Sequence, residues 1–268
     1  RRQLMTMKAY VEGFRSLVYY GGLTHDRENL AETPEEKEKY ADRTAILTPI
    51  IKGYITDKTV EVTSHGVQVY GGYGYTKEYP AEQLMRDCRI FPIYEGTNGI
   101  QAMDLLGRKL GMKKGQPFMD YLGEMQKTVE EARQIEGLET LTGRVENAVN
   151  RLSETAMTLG KAAASDKVAQ AFAFAHPFLE VTGDVTMAWM LLWRATIASK
   201  KLQKLAGSQG DAGKKGAKNK DAAFYLGQFK TAEFFIMNIL PTTMGKFDAI
   251  AETNGAAVDI PENAFGAL

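Results

Sequence analysis

Apolar residues recur every three or four positions along most of the chain, a spacing typical of helices that bury one face. The first stripe runs from Leu4 to Val18, and Gly21-Gly22 predicts the end of that helix because glycine favours helix termini. Residues 24 to 32 are mostly polar, so we expect a solvated loop there.

A second helix is predicted to begin at Thr33, whose hydroxyl can cap the first turn ahead of a proline and two acidic residues. It can continue to about Tyr70, with a kink or a break at Pro49, because proline lacks the N–H that the helix needs. The short alternation Val60 to Thr63 is a weak strand signal, and we interpret it as part of this helix.

Glycines break the pattern again in the stretch Gly71 to Tyr75. A short helix is expected from Pro80 to Cys88, followed by an extended segment from Ile90 to Tyr94. Another helix is predicted from Gly96 to Leu110.

Beyond Gly111, long amphipathic segments follow one another with short breaks, which favours an up-and-down helical bundle. The sequence therefore predicts an all-α fold in two parts, a helical domain over residues 1–111 and a bundle over residues 112–268. The four stripes that predict the bundle are Leu122–Ala132, Val145–Leu159, Leu191–Leu205 and Leu226–Leu240.

Composition mainly excludes classes of protein. The 268 residues carry 33 basic and 33 acidic side chains, and this zero net charge argues against nucleic-acid binding. No apolar run approaches the roughly 20 residues of a membrane span. The single cysteine, Cys88, fits a reducing compartment, so a cytoplasmic location is expected. The three histidines lack metal-ligand spacing, and no metal site is predicted.

One segment, Gly207 to Lys220, is rich in glycine and lysine and contains no large apolar residue. This composition predicts a flexible loop between two helices. A basic patch for an acidic partner is the alternative.

The segment 67–101 carries the candidate chemistry. Glu95 stands between an apolar lead-in and a glycine, and partial burial would raise the pKa of its carboxyl towards the range of a general base. Gly96 would let a substrate lie against the backbone, while Thr97 and Asn98 can cap the next helix. The dipole of that helix would lower the same pKa, and the balance of the two effects stays open.

This segment resembles the acyl-CoA dehydrogenase family in the order and spacing of its residues. The helices beyond residue 111 resemble the extension of larger bacterial members, of the 3-methylmercaptopropionyl-CoA dehydrogenase type. The matching residues are Gln68-Val-Tyr-Gly71-Gly72-Tyr-Gly74, Tyr79-Pro80, Leu84-Met85-Arg86-Asp87 and Ile93-Tyr94-Glu95-Gly96-Thr97-Asn98-Gly99-Ile100-Gln101.

The resemblance implies an enzyme of fatty acid metabolism that uses FAD to desaturate an acyl-CoA thioester to a trans-2-enoyl-CoA. It implies that Glu95 removes the α-proton, with Gly96 at the substrate, while a hydride passes to N5 of FAD. The segment Gln68 to Gly72 matches the part of the family that reaches across a dimer interface to the FAD of the partner subunit. The positions matching cofactor contacts are Gln68, Gly71, Gly72, Thr97, Asn98 and Gly99.

The resemblance also implies a homo-oligomer, a dimer or a dimer of dimers, and an electron-transfer flavoprotein as electron acceptor. Because the sequence starts at Arg1, inside a predicted helix, we expect a piece of a longer chain. A non-catalytic helical oligomerisation or interaction module is the alternative hypothesis, since no flavin-binding β domain is visible. Recruitment to DNA is a third, which zero net charge disfavours.

Overall fold

The computed structural model describes residues 1–206 and 219–266, and within these ranges the chain is helical and has no β-strand. The all-α prediction is therefore confirmed. The predicted loop Gly207 to Lys220 lies outside the described residues, apart from its last two. There the Asn219 side chain accepts a hydrogen bond from the Asp221 N–H and caps the next helix.

The described helices range from a single turn to 32 residues, and some of them widen or tighten locally. Two π-helical turns, Ile50–Tyr54 and Leu105–Lys109, interrupt longer helices, and short 3₁₀ turns cover Gly71–Tyr75, Met112–Gly115 and Glu262–Ala264. The α-helices are α1 (Arg2–Asn29), α2 (Pro34–Pro49), α3 (Ile55–Tyr70), α4 (Ala81–Cys88), α5 (Asn98–Asp104), α6 (Gln116–Arg133), α7 (Glu139–Ala163), α8 (Val168–Ala173), α9 (Ala175–Ala206), α10 (Lys220–Asn238), α11 (Leu240–Glu252) and α12 (Ala256–Asp259).

Helix α1 does not end at Gly21-Gly22, as predicted, but continues to Asn29. A Cβ atom on Gly21 would lie 2.6 Å from Cδ1 of Ile51, so this glycine permits close helix packing instead of ending the helix. The predicted loop over 24–32 is likewise wrong for most of its length. Thr24 is buried within this helix, and its hydroxyl is satisfied by donating to the Tyr20 carbonyl, four residues earlier.

The second predicted helix is confirmed at its start and at its break. The Thr33 hydroxyl accepts a hydrogen bond from the Glu36 N–H at 3.2 Å. At Pro49 the α-helix gives way to the π-helical turn, and α3 then continues to Tyr70. The alternating residues Val60 to Thr63 lie within α3, as interpreted from the sequence.

The segment after α3 follows the predictions except at one place. Gly71 ends α3 with a φ of +63°, and α4 begins one residue later than expected. The predicted extended segment Ile90–Tyr94 is instead a series of turns. The N–H groups of Ile93 and Tyr94 both donate to the Ile90 carbonyl, at 2.9 and 3.1 Å, and an extended segment could not make these bonds.

Helices α6, α7, α9 and α10 form the predicted bundle, in which sequence neighbours pack on one another. The stripes of α6 and α7 are buried, and that of α9 is buried except at Leu205. The fourth stripe is divided, because α10 ends at Asn238 and α11 begins at Leu240. Pro241 lies in the first turn of α11, where proline is favoured.

Helix α9 is longer than its stripe predicted and runs through the centre of the molecule. It contacts α1, α5, α6, α7, α10 and α11. Residues 181–192 are buried on all sides. A helix buried all round carries no amphipathic stripe, so periodicity could not reveal this part.

The π-helical turn Ile50–Tyr54 joins the first predicted part of the chain to α9. The Tyr54 ring lies over Gly183, and its hydroxyl donates to the buried Asp184 carboxylate at 2.6 Å. Buried apolar residues from both predicted parts form one cluster. The division into residues 1–111 and 112–268 stays a prediction.

A Gly183→Ala substitution should destabilise the fold, because the new Cβ would lie 2.1 Å from Cδ2 of Tyr54. Forcing this contact apart should cost about 1–3 kcal/mol, measured as the free energy of unfolding in urea. Gly143→Ala is the control, since it lies in α7 with open space around it and should gain up to about 1 kcal/mol. Equal effects in the two variants would contradict this packing.

Candidate active site

Glu95 lies in the turn that precedes α5, in an unusual backbone conformation. Its φ is +53°, and Gly96 follows with a φ of +82°. A left-handed conformation costs a residue with a side chain about 1–2 kcal/mol, whereas glycine adopts it freely. Residues kept in such conformations cluster at functional sites.

The side chain of Glu95 is exposed in this chain, and so is Gly96. The apolar lead-in does not cover it, because Ile93 and Tyr94 are themselves 50% and 46% exposed. The expectation of partial burial is therefore not met by the described residues. Glu95 is exposed because the apolar residues that precede it form turns on the surface and do not cover its carboxylate.

The start of α5 carries the predicted helix cap. The Thr97 hydroxyl accepts the Ile100 N–H at 3.3 Å, and the Thr97 carbonyl accepts the Gln101 N–H at 3.0 Å. Among the described residues, the backbone N–H of Glu95 donates to no protein acceptor. This turn therefore presents a carboxylate and an unused N–H beside a helix N-terminus.

Asn98 differs from the other predicted site residues because its side chain is only 4% exposed. Its Nδ2 lies 2.9 Å from the Gly53 carbonyl and 2.7 Å from the Asp57 carboxylate. Its Oδ1 accepts a hydrogen bond from Lys52 Nζ at 2.8 Å. The amide therefore fastens the start of α5 to the π-helical turn and α3.

The hydrogen-bond partners of the Asn98 side chain were not predicted from the sequence. Asp57 also bonds to His176 of α9, with 2.9 Å between Oδ2 and Nε2. Burial raises the pKa of Asp57, but hydrogen bonds from His176 and Asn98 outweigh it and hold the pKa below its ordinary value. The bond to Asp57 in turn raises the pKa of His176, against the opposing effect of burial. No local signal marks a pair 119 residues apart.

The second predicted cofactor segment lies on the surface at the end of α3. Gln68, Gly71 and Gly72 are exposed, and a Cβ on either glycine would meet no atom within 4 Å. Gly74, in contrast, is buried, and its Cβ would lie 2.3 Å from the Val67 carbonyl oxygen. Open backbone at the first two glycines is therefore accessible to a ligand, while the third allows the chain to fold back.

Large apolar side chains are unusually exposed along the same part of the chain. Exposed apolar side chains that form a contiguous surface are typical of a site that binds a ligand or another protein. The exposed residues are Val69, Tyr70, Tyr73, Tyr75, Tyr79, Leu84, Met85, Ile90, Ile93, Tyr94, Ile100 and Met103.

The part of the chain that the structure describes holds no group of three or more histidine, cysteine, aspartate or glutamate side chains arranged to hold a metal ion. None of its helices is both long and apolar enough to cross a bilayer.

The comparisons with known proteins agree with the motif. The family described as "Acyl-CoA dehydrogenase, C-terminal domain" matches residues 1–110, and "Acetyl-CoA dehydrogenase C-terminal like" matches residues 121–261. Butyryl-CoA dehydrogenase of Syntrophomonas wolfei is 33% identical over 99% of this chain. The 3-methylmercaptopropionyl-CoA dehydrogenase of Ruegeria pomeroyi is 34% identical over 94% of it. The chain belongs to the acyl-CoA dehydrogenase family, as the resemblance predicted.

The chain spans about two fifths of the length of these curated relatives, 42% and 40% respectively. A crystal structure of an acyl-CoA dehydrogenase from Bacillus anthracis, complexed with FAD, matches with a TM-score of 0.59 and 21% identity. The match covers 93% of this chain and 44% of that one. This likeness confirms the helical fold.

Replacing Asn98 by alanine should destabilise the chain, because Asp57 and Lys52 would each lose a buried partner. We expect a loss of about 1–3 kcal/mol in the free energy of unfolding, measured by urea denaturation. Asn150→Ala is the matched control, since Asn150 is exposed and, among the described residues, its side chain bonds to Gln126 alone. It should change stability by less than about 0.5 kcal/mol. A similar loss in both variants would refute the anchoring role.

The His176–Asp57 pair should make stability depend on pH. The pKa of His176 is raised in the folded chain, so its stabilisation is complete below about pH 6.5 and is lost as pH rises through the raised value. Asp57, Lys58 and Glu180 are the charged groups that act on it. The loss should stay below about 1 kcal/mol, because the His176 side chain is 51% exposed.

The measurement is the urea midpoint of the chain at a series of pH values from about 6 to about 9. His176→Gln should flatten the curve in this window, since glutamine does not titrate. An unchanged slope in the variant would assign the pH dependence to another group.

Proposed function

We propose that this chain is the C-terminal part of an FAD-dependent acyl-CoA dehydrogenase, which converts an acyl-CoA thioester into a trans-2-enoyl-CoA. Residues 1–111 would form the C-terminal helical domain of the catalytic core, and residues 112–268 an added bundle. Family membership and the two relatives named for acyl-CoA dehydrogenase activity support this proposal. The observation that carries it is the exposed Glu95 in its left-handed turn, within an intact family motif.

Glu95 acts as the base that removes the α-proton of the thioester. Its exposed carboxylate is free to approach a bound substrate, and Gly96 leaves the backbone open beside it. The N–H of Glu95 has no protein acceptor among the described residues and can donate to the thioester oxygen as charge develops there. Covering the carboxylate with substrate would exclude water, and a desolvated carboxylate accepts a proton more readily.

FAD, when bound, accepts the hydride that leaves the β-carbon. The residues present fit such a group in part. Gly71 and Gly72 offer open backbone to a pyrophosphate, and Gln68 lies exposed one turn earlier. Thr97 and Gly99 are exposed at the start of α5, where a flavin can approach. The Asn98 side chain is already bonded within the chain, so we assign it to positioning its neighbours.

The same proposal includes the partners. The exposed apolar residues between Val69 and Met103 support burial against the rest of the enzyme and a second subunit, in a dimer or a dimer of dimers. An electron-transfer flavoprotein is the proposed electron acceptor, on the family resemblance. A cytoplasmic location and a role in fatty acid metabolism complete the proposal.

The decisive test is Glu95→Gln in the complete enzyme that contains this chain. Removing the base should slow flavin bleaching by an acyl-CoA and exchange of its α-proton by about 10³-fold or more. Glu78→Gln is the matched control, because Glu78 is also exposed and lies in the preceding loop. Undiminished bleaching in Glu95→Gln would remove Glu95 from the mechanism. If the complete protein binds no FAD, the helical interaction module becomes the better hypothesis.

A further inference from the structure

A chain of hydrogen bonds runs from the bundle to the Glu95 turn. His176 lies in the first turn of α9, and its Nε2 is 2.9 Å from Oδ2 of Asp57. The other carboxylate oxygen, Oδ1, accepts the Asn98 amide at 2.7 Å. Asn98 is the first residue of α5 and lies three positions after Glu95.

Asp57 is placed so that it holds both neighbours at once. One oxygen faces the bundle and the other faces α5, so turning the carboxylate to suit one partner would weaken the other. The same Asn98 amide satisfies the Gly53 carbonyl of the π-helical turn. If the start of α5 moved, at least one of these hydrogen bonds would break, so the network fixes its position.

We propose that His176 and Asp57 are positioning residues for the proposed reaction, and that through Asn98 they set the conformation of the Glu95 turn. The inference rests on the proposed role of Glu95 and extends it, since it gives the added bundle a part in the chemistry. Neither residue touches substrate or FAD in this scheme. Their effect reaches the reaction through the placement of the base.

The surroundings of His176 allow its imidazole to be removed without disturbing the packing of α9. The His176 side chain is half-exposed, although its neighbours Ala175 and Phe178 are buried in the core. Removing its imidazole should therefore leave the bundle folded. Lys58 and Glu180 form their own ion pair beside it, at 3.2 Å, and Lys246 also pairs with Glu180. These ion pairs do not involve His176 and can persist without it.

The expected signature is a fall in kcat with little change in KM. A base displaced by a fraction of an ångström loses transition-state contact, whereas distant substrate-binding groups keep theirs. In the complete enzyme, His176→Ala should lower kcat and the flavin bleaching rate by about 10- to 100-fold. His176→Gln should recover most of this, because its amide can still donate to Asp57. The thermal midpoint should fall by a few degrees at most in His176→Ala, and the FAD content should stay unchanged in both variants.

His65→Ala is the matched control, since His65 lies on α3 and faces Glu61, outside the chain of bonds to Asn98. It should leave kcat unchanged. An equal fall in His65→Ala and His176→Ala, or no recovery with glutamine, would overturn the inference.

A second measurement is independent of catalysis and uses the 268-residue chain itself. The N–H groups of Ile100 and Gln101 bond to Thr97 in the first turn of α5. If Asp57 and His176 hold this turn, His176→Ala should speed hydrogen exchange at these two amides by about tenfold, with α7 amides unaffected. Unchanged exchange would overturn the inference even if Glu95 is the base. If exchange is faster in His176→Ala but the Glu95→Gln enzyme stays active, His176 still positions the turn. Only the proposed function of Glu95 would then be rejected.

Discussion

The packing of Tyr54 against α9 is the constraint on which the rest of the structure depends. Its ring occupies the space above Gly183, where any larger residue would clash, and its hydroxyl bonds to an aspartate that is only 2% exposed. A buried carboxylate requires hydrogen-bond partners. Asp184 also accepts hydrogen bonds from the Thr243 hydroxyl and the Lys246 ammonium group of α11. Asp184 thus ties the first predicted part of the chain, through Tyr54, to both α9 and α11.

The π-helical turn explains how Tyr54 reaches this position. A π-turn carries an additional residue and changes the direction in which the following helix presents its side chains. Gly53 in the same turn lets α9 approach, because a Cβ there would lie 2.6 Å from Cδ2 of Leu179. Asp57, one turn further, then faces both α5 and His176. The widened turn after Pro49 therefore aligns the interior of the molecule with the candidate site.

The candidate site combines a firmly anchored helix start and an open surface. Asn98 is buried and fully bonded, whereas Glu95 and Gly96, three and two residues earlier, are exposed. Such an arrangement suits a surface completed by other groups, because the backbone is already placed before anything covers it. The exposed tyrosines and isoleucines on either side fit the same interpretation, since apolar side chains gain free energy when they are covered.

The sequence by itself determined the helices with one buried face, the caps at Thr33 and Thr97 and the break at Pro49. Through the family resemblance it also indicated Glu95 as a candidate base. These features depend on residues within a few positions of one another. Only the tertiary structure decided that Gly21 packs inside a helix, that α9 is buried all round and that Asn98 anchors α5 through Asp57 and His176. The physical reason is distance along the chain: a glycine, a buried helix or a paired carboxylate acquires its role from neighbours that folding brings together, and no local pattern records them.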